Sequence, residues 1–218
     1  MNTDLVVYYR ERAQEYERVY QKTERQEELA QLSSILQDTF AGKHVFEIAC
    51  GTGYWTERIA ATANFVLATD INESVLDIAR SKVYPENHVA FRQADIFNLK
   101  EELQARYESL LGGFILSHIP LQDLPHFIDI LHSCVVPGGM VVLMDNNFVE
   151  GSSLPISQQD EAGNTYQTRT LSNGSTHLVL KNFPTEHALR ELLKGKATDI
   201  EFINLTHYWV LRYKTTKQ

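Results

Sequence analysis

The sequence predicts an α/β fold, a mostly parallel sheet with helices on both faces. Three observations predict it. Between residues 44 and 145, apolar β-rich runs alternate with segments of helical period. The first apolar run ends in the turn Gly51-Thr-Gly53. The second ends in an acidic residue, Asp70, sixteen or so residues further on. A strand feeding a Gly-x-Gly turn, followed by a strand closed by an acid, is the layout of a site for an adenosine-containing cofactor.

The elements follow in order. Residues 4–39 read as helical: Tyr9, Ala13, Tyr16 and Tyr20 share one face, and Leu29, Leu32, Ile35 and Leu36 another. Gly42 is a plausible stop. Then come strand 44–50, helix 54–62, strand 65–70, helix 73–83, strand 89–94, a short helix near 100–108, strand 111–117, helix 121–134 and strand 139–145. After Asn147 the pattern changes. Residues 148–164, rich in Gly, Ser, Asp and Gln, read as a mobile loop. Two β-rich runs, 166–171 and 176–180, flank Ser172-Asn-Gly-Ser175, a hairpin signal. Helix 185–194 opens at Thr185 and stops at Gly195. Strands 198–205 and 207–214 end the chain.

Physical chemistry gives the first loop its role. Gly51 and Gly53 let the backbone turn and approach a ligand with no Cβ in the way. The helix that starts near Tyr54 turns its free N–H groups toward the loop, a setting for phosphate or carboxylate. Thr56 stands where a dinucleotide fingerprint has its third glycine. Glu47, in the strand end, would repel a pyrophosphate and suits a ligand carrying an ammonium or sulfonium charge.

Glu47-Ile-Ala-Cys-Gly-Thr-Gly53 resembles motif I of the class I S-adenosylmethionine-dependent methyltransferases, with Ala49 in place of the first glycine. Asp70, Ala94-Asp95-Ile96, Phe114-Ile-Leu-Ser-His118 and Val136-Pro-Gly-Gly-Met140 match later segments of that superfamily. The resemblance spans roughly residues 40 to 147. It implies a Rossmann-like seven-stranded, mostly parallel sheet whose last strand is antiparallel. An N-terminal helical cap and a β-hairpin insertion after strand five complete it. The chain then divides into a cap (1–42), a cofactor-binding core (43–147), a loop and hairpin insertion acting as a substrate lid (148–184), and a C-terminal helix and strand pair (185–218).

The same resemblance implies S-adenosylmethionine as cofactor, S-adenosylhomocysteine as its product, and no metal. Glu47 would meet the methionine amino group, often through water. Asp70 would bind the ribose hydroxyls, Asp95 the adenine amino group, and the Ile96 backbone N–H a ring nitrogen. Ala49, Gly51, Gly53, Ile71 and Ser117 complete the expected cofactor contacts. Tyr9, Arg12 and Tyr16 resemble the tyrosine-rich opening of small-molecule members, where a helix closes over the methionine end. The alternative is an aromatic stripe that packs the cap. His118, at the end of strand four, is either a general base or a hydrogen-bonded histidine that shapes the pocket floor. Trp55 reads as packing. The other histidines lack metal-ligand spacing.

The expected activity is methyl transfer to a small-molecule acceptor. Alternatives are a protein acceptor, a non-catalytic cofactor-binding protein, or a nucleotide-dependent oxidoreductase, against which Glu47 speaks. Net charge −8 argues against a large nucleic-acid footprint. No run of about 18 apolar residues reads as a membrane span. Met1–Leu5 lacks a signal-peptide pattern. Cys50 and Cys134 read as buried free thiols of a cytoplasmic protein. Monomer and homodimer both stay open.

Overall fold

The computed structural model describes residues 3–99 and 106–216. Ten strands and six α-helices are labelled in chain order. Helices α1 (Thr3–Arg12) and α2 (Gln26–Phe40) form the N-terminal cap. The core runs β1 (His44–Ile48), α3 (Tyr54–Ala60), β2 (Phe65–Asp70), α4 (Glu73–Arg80), β3 (Val89–Gln93), β4 (Tyr107–Gly113), α5 (Leu124–Cys134) and β5 (Val135–Asn146). Strands β6 (Gln158–Gln159), β7 (Thr165–Thr170) and β8 (Thr176–Leu180) make the insertion. Helix α6 (Glu186–Leu192), β9 (Ala197–Asn204) and β10 (Tyr208–Thr215) close the chain.

The main sheet has the order β3-β2-β1-β4-β5-β10-β9. Strands β1 to β5 are parallel, and β10 runs antiparallel to both β5 and β9. The order reverses beside β1, so the carboxyl ends of β1 and β4 open a crevice at the switch point. Two apolar layers cover the sheet. On one face Leu29, Leu32, Leu36 and Phe40 of α2 pack with Trp55 and Ile59. On the other Phe127, Ile128 and Leu131 of α5 pack with Phe46, Leu143 and Trp209.

Three expectations change. The predicted helix over 4–39 is broken: α1 stops at Arg12, and Ala13–Gln21 and Thr23–Arg25 are 3₁₀ turns. Tertiary contacts set that path. Tyr20 stacks on Tyr54 with ring centroids 3.8 Å apart, and Trp55 Nε1 donates to its hydroxyl. Strand four lies at Tyr107–Gly113 rather than 111–117. Gly112 and Gly113 belong inside it because a Cβ at either would meet β5 side chains at 2.9 Å. Phe114 then takes φ +60 and ends the strand, so Leu116–His118 forms a 3₁₀ turn. The short helix expected near 100–108 lies largely outside the described residues, and Tyr107 is already strand. Strand five begins at Val135, four residues before its expected start.

The expected hairpin is β7–β8, and the two-residue β6 extends it to a three-stranded sheet of order β6-β7-β8. It is fastened to the cap: Leu5 and Tyr8 of α1 form an apolar cluster with Leu171 and Val179.

Candidate functional site

The loop after β1 is built on left-handed backbone. Gly51 and Gly53 have φ +56 and +76. Ala49 has φ +50, which an alanine adopts at a cost of about 1 kcal/mol. A Cβ on Gly51 would meet nothing closer than Tyr16 at 3.9 Å, so this residue leaves an open cradle. Gly53 differs. A Cβ there would strike the Tyr84 hydroxyl at 2.6 Å and Ala79 at 3.0 Å, so it serves the packing of α4.

Asp70 organises the loop from β2. Its Oδ2 accepts from the Gly51 N–H at 3.0 Å and its Oδ1 from the Asn72 N–H at 2.9 Å. Burial raises its carboxyl, and these N–H groups oppose the rise. Both oxygens keep a lone pair for ribose hydroxyls.

A cavity of ≈ 60 Å³ lies over this loop. Of the expected cofactor residues, Tyr9, Tyr16, Ala49, Gly51, Asp70, Ile71 and Ile96 line it, with His118. Leu5 and Val6 of α1 close it from above. Small-molecule pockets are about 300–1,000 Å³, so α1 lies where a cofactor needs room. The open cradle at Gly51 and the acid at Asp70 otherwise fit an adenosyl group.

Four expected contacts lie elsewhere. Glu47 sits beneath the loop, 3% exposed, and its Oε2 has no hydrogen-bond partner. Burial pushes its carboxyl up to about 8, and nearby Asp70 adds to the rise. Gly53 faces α4, as described. Asp95 is off the cavity wall, and its Oδ1 accepts from the Phe97 N–H at 3.0 Å, capping a turn. Ser117 does not line this cavity. Its hydroxyl accepts from Lys181 Nζ at 2.7 Å, its N–H donates to Asp145 Oδ2, and its carbonyl accepts from Asn182 N–H. The 3₁₀ turn places it in the polar network behind the pocket.

A second cavity, ≈ 600 Å³, lies between α1, the following 3₁₀ turns, the end of β4 and the insertion. The two cavities share a wall of Tyr9, Tyr16, Phe114 and His118. Phe114, at φ +60, holds strain at this junction, which is where functional sites store it.

His118 is fully engaged. Its Nδ1 lies 2.6 Å from the Leu180 carbonyl, which only accepts, so Nδ1 carries the proton. Nε2 is therefore the acceptor, and the Tyr9 hydroxyl donates to it at 2.7 Å. Burial holds the imidazole well below its ordinary pKa, reinforced by the charges of Lys181, Arg169 and Arg12. Tyr9 itself is raised by burial. His118 thus stands neutral, with its basic lone pair occupied.

Sequence reasoning missed the polar network behind this wall. Lys181 Nζ donates to Asp145 Oδ1 at 2.7 Å, to Ser117 Oγ and to Asn146 Oδ1. The pair is almost fully buried, and burial lowers the lysine. A lysine after a hairpin and an acid inside β5 carry no local signal of pairing.

A methyltransferase-domain family model matches residues 45–139. The ubiquinone biosynthesis O-methyltransferase of Acinetobacter baylyi is 29% identical over 177 residues, 78% of this chain and 72% of that protein. The segment that the family model matches runs from β1 into β5. The homologue of Azotobacter vinelandii is 32% identical over 102 residues, 46% of this chain and 43% of that one. Among solved structures, the DhpI–SAH complex superposes with TM-score 0.79 at 24% identity, covering 99% of this chain and 97% of that one. CalS10, an amino pentose methyltransferase from Micromonospora echinaspora, superposes with TM-score 0.64 at 14% identity, covering 92% and 96%. Both likenesses confirm the fold. Among the described residues no His, Cys, Asp or Glu cluster could hold a metal ion, and no helix is long and apolar enough to cross a membrane.

Proposed function

We propose that this chain is an S-adenosylmethionine-dependent methyltransferase that acts on a small-molecule acceptor in the larger cavity. The methyl group would cross the wall formed by Tyr9, Tyr16, Phe114 and His118. The observation that carries this reading is that shared wall: one cavity is bounded by the Gly51 loop and Asp70, and the other by the insertion. A volume of ≈ 600 Å³ suits a small molecule rather than a protein segment. The relatives named O-methyltransferases support oxygen as the methylated atom.

S-adenosylmethionine supplies an electrophilic methyl group when bound. The chain's own task is to align an acceptor within about 3 Å and to exclude water. Gly51 leaves the approach open. Asp70 holds the ribose, and Ile71 and Ile96 flank the adenine. Tyr9, hydrogen-bonded to His118, fixes the wall against which the acceptor rests. Helix α1 and the insertion act as one lid. Two buried thiols, Cys50 and Cys134, support a cytoplasmic setting, as monomer or homodimer.

The test is calorimetry with S-adenosylhomocysteine. Micromolar binding, lost in a variant that fills the Gly51 cradle and kept with a Phe148 variant, supports the site. Tighter binding of a nicotinamide dinucleotide would overturn it.

A further inference from the structure

The larger cavity carries a charge that the chain as a whole does not. The protein has net charge −8. Yet this cavity is lined by six cationic side chains, Arg12, Arg18, Lys22, Arg25, Arg169 and Lys181, against one carboxylate, Glu15. Three of the cations are neutralised. Arg18 pairs with Glu15, Lys22 with Glu24, and Lys181 with Asp145. Arg12, Arg25 and Arg169 have no carboxylate within 4.0 Å among the described residues. Arg12 and Arg169 converge on the same ring, with guanidinium carbons 5.7 and 5.6 Å from the centroid of Tyr8. The Nε atoms of Arg25 and Arg169 are buried with no hydrogen-bond partner. The three guanidinium groups are half-buried; Arg25 donates to Ser152 Oγ and Arg169 to Gln167 Oε1, but no carboxylate among the described residues neutralises them, which marks a place for an anion.

The cavity also lacks a free base. The lone pair of His118 Nε2 accepts from Tyr9. Asp145 is paired with Lys181 and accepts from the Ser117 and Asn146 N–H groups. Glu15 accepts from the Ser172 N–H, which lowers its carboxyl. The Tyr9, Tyr16, Tyr20 and Tyr208 hydroxyls are raised by burial. An acceptor that must lose a proton finds no group to take it.

We propose, resting on the methyl-transfer reading, that the acceptor is a small oxyanion, a carboxylate or a phosphate-type group, held by Arg169 and Arg12, and that its charged oxygen is itself the nucleophile. That oxygen bonds to the methyl carbon as the carbon–sulfur bond breaks, and the electron pair of that bond stays on sulfur. The anionic and sulfonium charges cancel, and no proton is released. Arg169 and Arg12 orient the anion; His118 and Tyr9 position it and exchange no proton with it.

The test uses the full chain saturated with S-adenosylhomocysteine and three calorimetric probes: phenyl phosphate, phenylacetate and neutral phenylacetamide. At least one anion is expected to bind below ~1 mM, with the amide at least tenfold weaker. Which anion binds distinguishes phosphate from carboxylate. Arg169→Gln should weaken the anion at least tenfold and leave S-adenosylhomocysteine affinity within twofold, and Arg169→Lys should restore part of the loss. With S-adenosylmethionine and the binding anion, an indicator dye should record no proton released per methyl transferred. Equal binding of the amide, no binding of either anion, an Arg169→Gln defect in S-adenosylhomocysteine affinity, or one proton per turnover would overturn the assignment. Failure of S-adenosylhomocysteine to bind the wild-type chain would instead overturn the methyl-transfer reading beneath it.

Discussion

Replacing Glu47 with glutamine should make the cofactor-free protein more stable, and increasingly so as the pH rises. The carboxyl is fully enclosed beneath the Gly51 loop, and its pKa is raised from 4.5 to about 8, chiefly by burial. The unfolded chain ionises this group from about pH 4.5, but the folded chain only near 8. Between those values the unfolded state binds fewer protons, so stability falls as pH rises. Each tenfold difference in proton affinity is ~1.4 kcal/mol, which caps the loss at ~5 kcal/mol above pH 8. The glutamine variant has the same shape and no such slope. Urea unfolding of both proteins at pH 5, 7 and 8.5 measures it. The two should nearly coincide at pH 5, and the variant should lead by a few kcal/mol at pH 8.5. Asp70, also raised by burial, leaves a smaller slope of the same sign in both. Identical pH profiles, or a variant that is weaker at pH 8.5, would refute the reasoning.

The remaining predictions concern the loop, the network and the lid. Asp70→Asn should weaken S-adenosylhomocysteine at least tenfold by calorimetry, since it removes charge-assisted bonds of ~1.5–3 kcal/mol each; the wild-type dissociation constant would place the ribose elsewhere. Gly51→Val should abolish cofactor binding and also lower the melting temperature, because φ +56 strains a β-branched residue. Lys181→Met should cost ~3–5 kcal/mol by stranding buried Asp145, and adding Asp145→Leu should recover much of it; additive losses in thermal unfolding would contradict the pairing. Hydrogen exchange should slow together in residues 4–12 and 165–180 when cofactor binds, because Leu5 and Tyr8 pack on Leu171 and Val179. Leu171→Ala should uncouple the two segments.

The parallel core was legible because its signals are local. Apolar runs such as 44–48 and 65–70 lie between helices with a clear 3.6 period, and positive-φ turns call for glycine. Asp70 and Gly51 were readable for the same reason. The neighbours of Glu47 and Gly53 were not, since only the packing of α3 against α4 decides which residue faces the ligand and which the core. Strand four slipped because the apolar run 114–116 reads as its continuation, whereas Phe114 at φ +60 ends it. Ser117, Lys181 and Asp145 belong to a network joined across 28 to 64 residues of chain. No spacing rule encodes such pairings. The charge of the acceptor cavity was hidden for a related reason: Arg12, Arg25 and Arg169 come from three separate segments of an acidic chain.

The central claim is that a cofactor held at Asp70 and Gly51 presents its methyl group across the wall of Tyr9, Tyr16, Phe114 and His118. A crystal structure with S-adenosylhomocysteine tests this most directly. The ribose hydroxyls should lie on Asp70, α1 should be displaced enough to admit the adenosyl group, and the sulfur should face the ≈ 600 Å³ cavity beside His118. A ribose away from Asp70, or a sulfur turned away from that cavity, would contradict it.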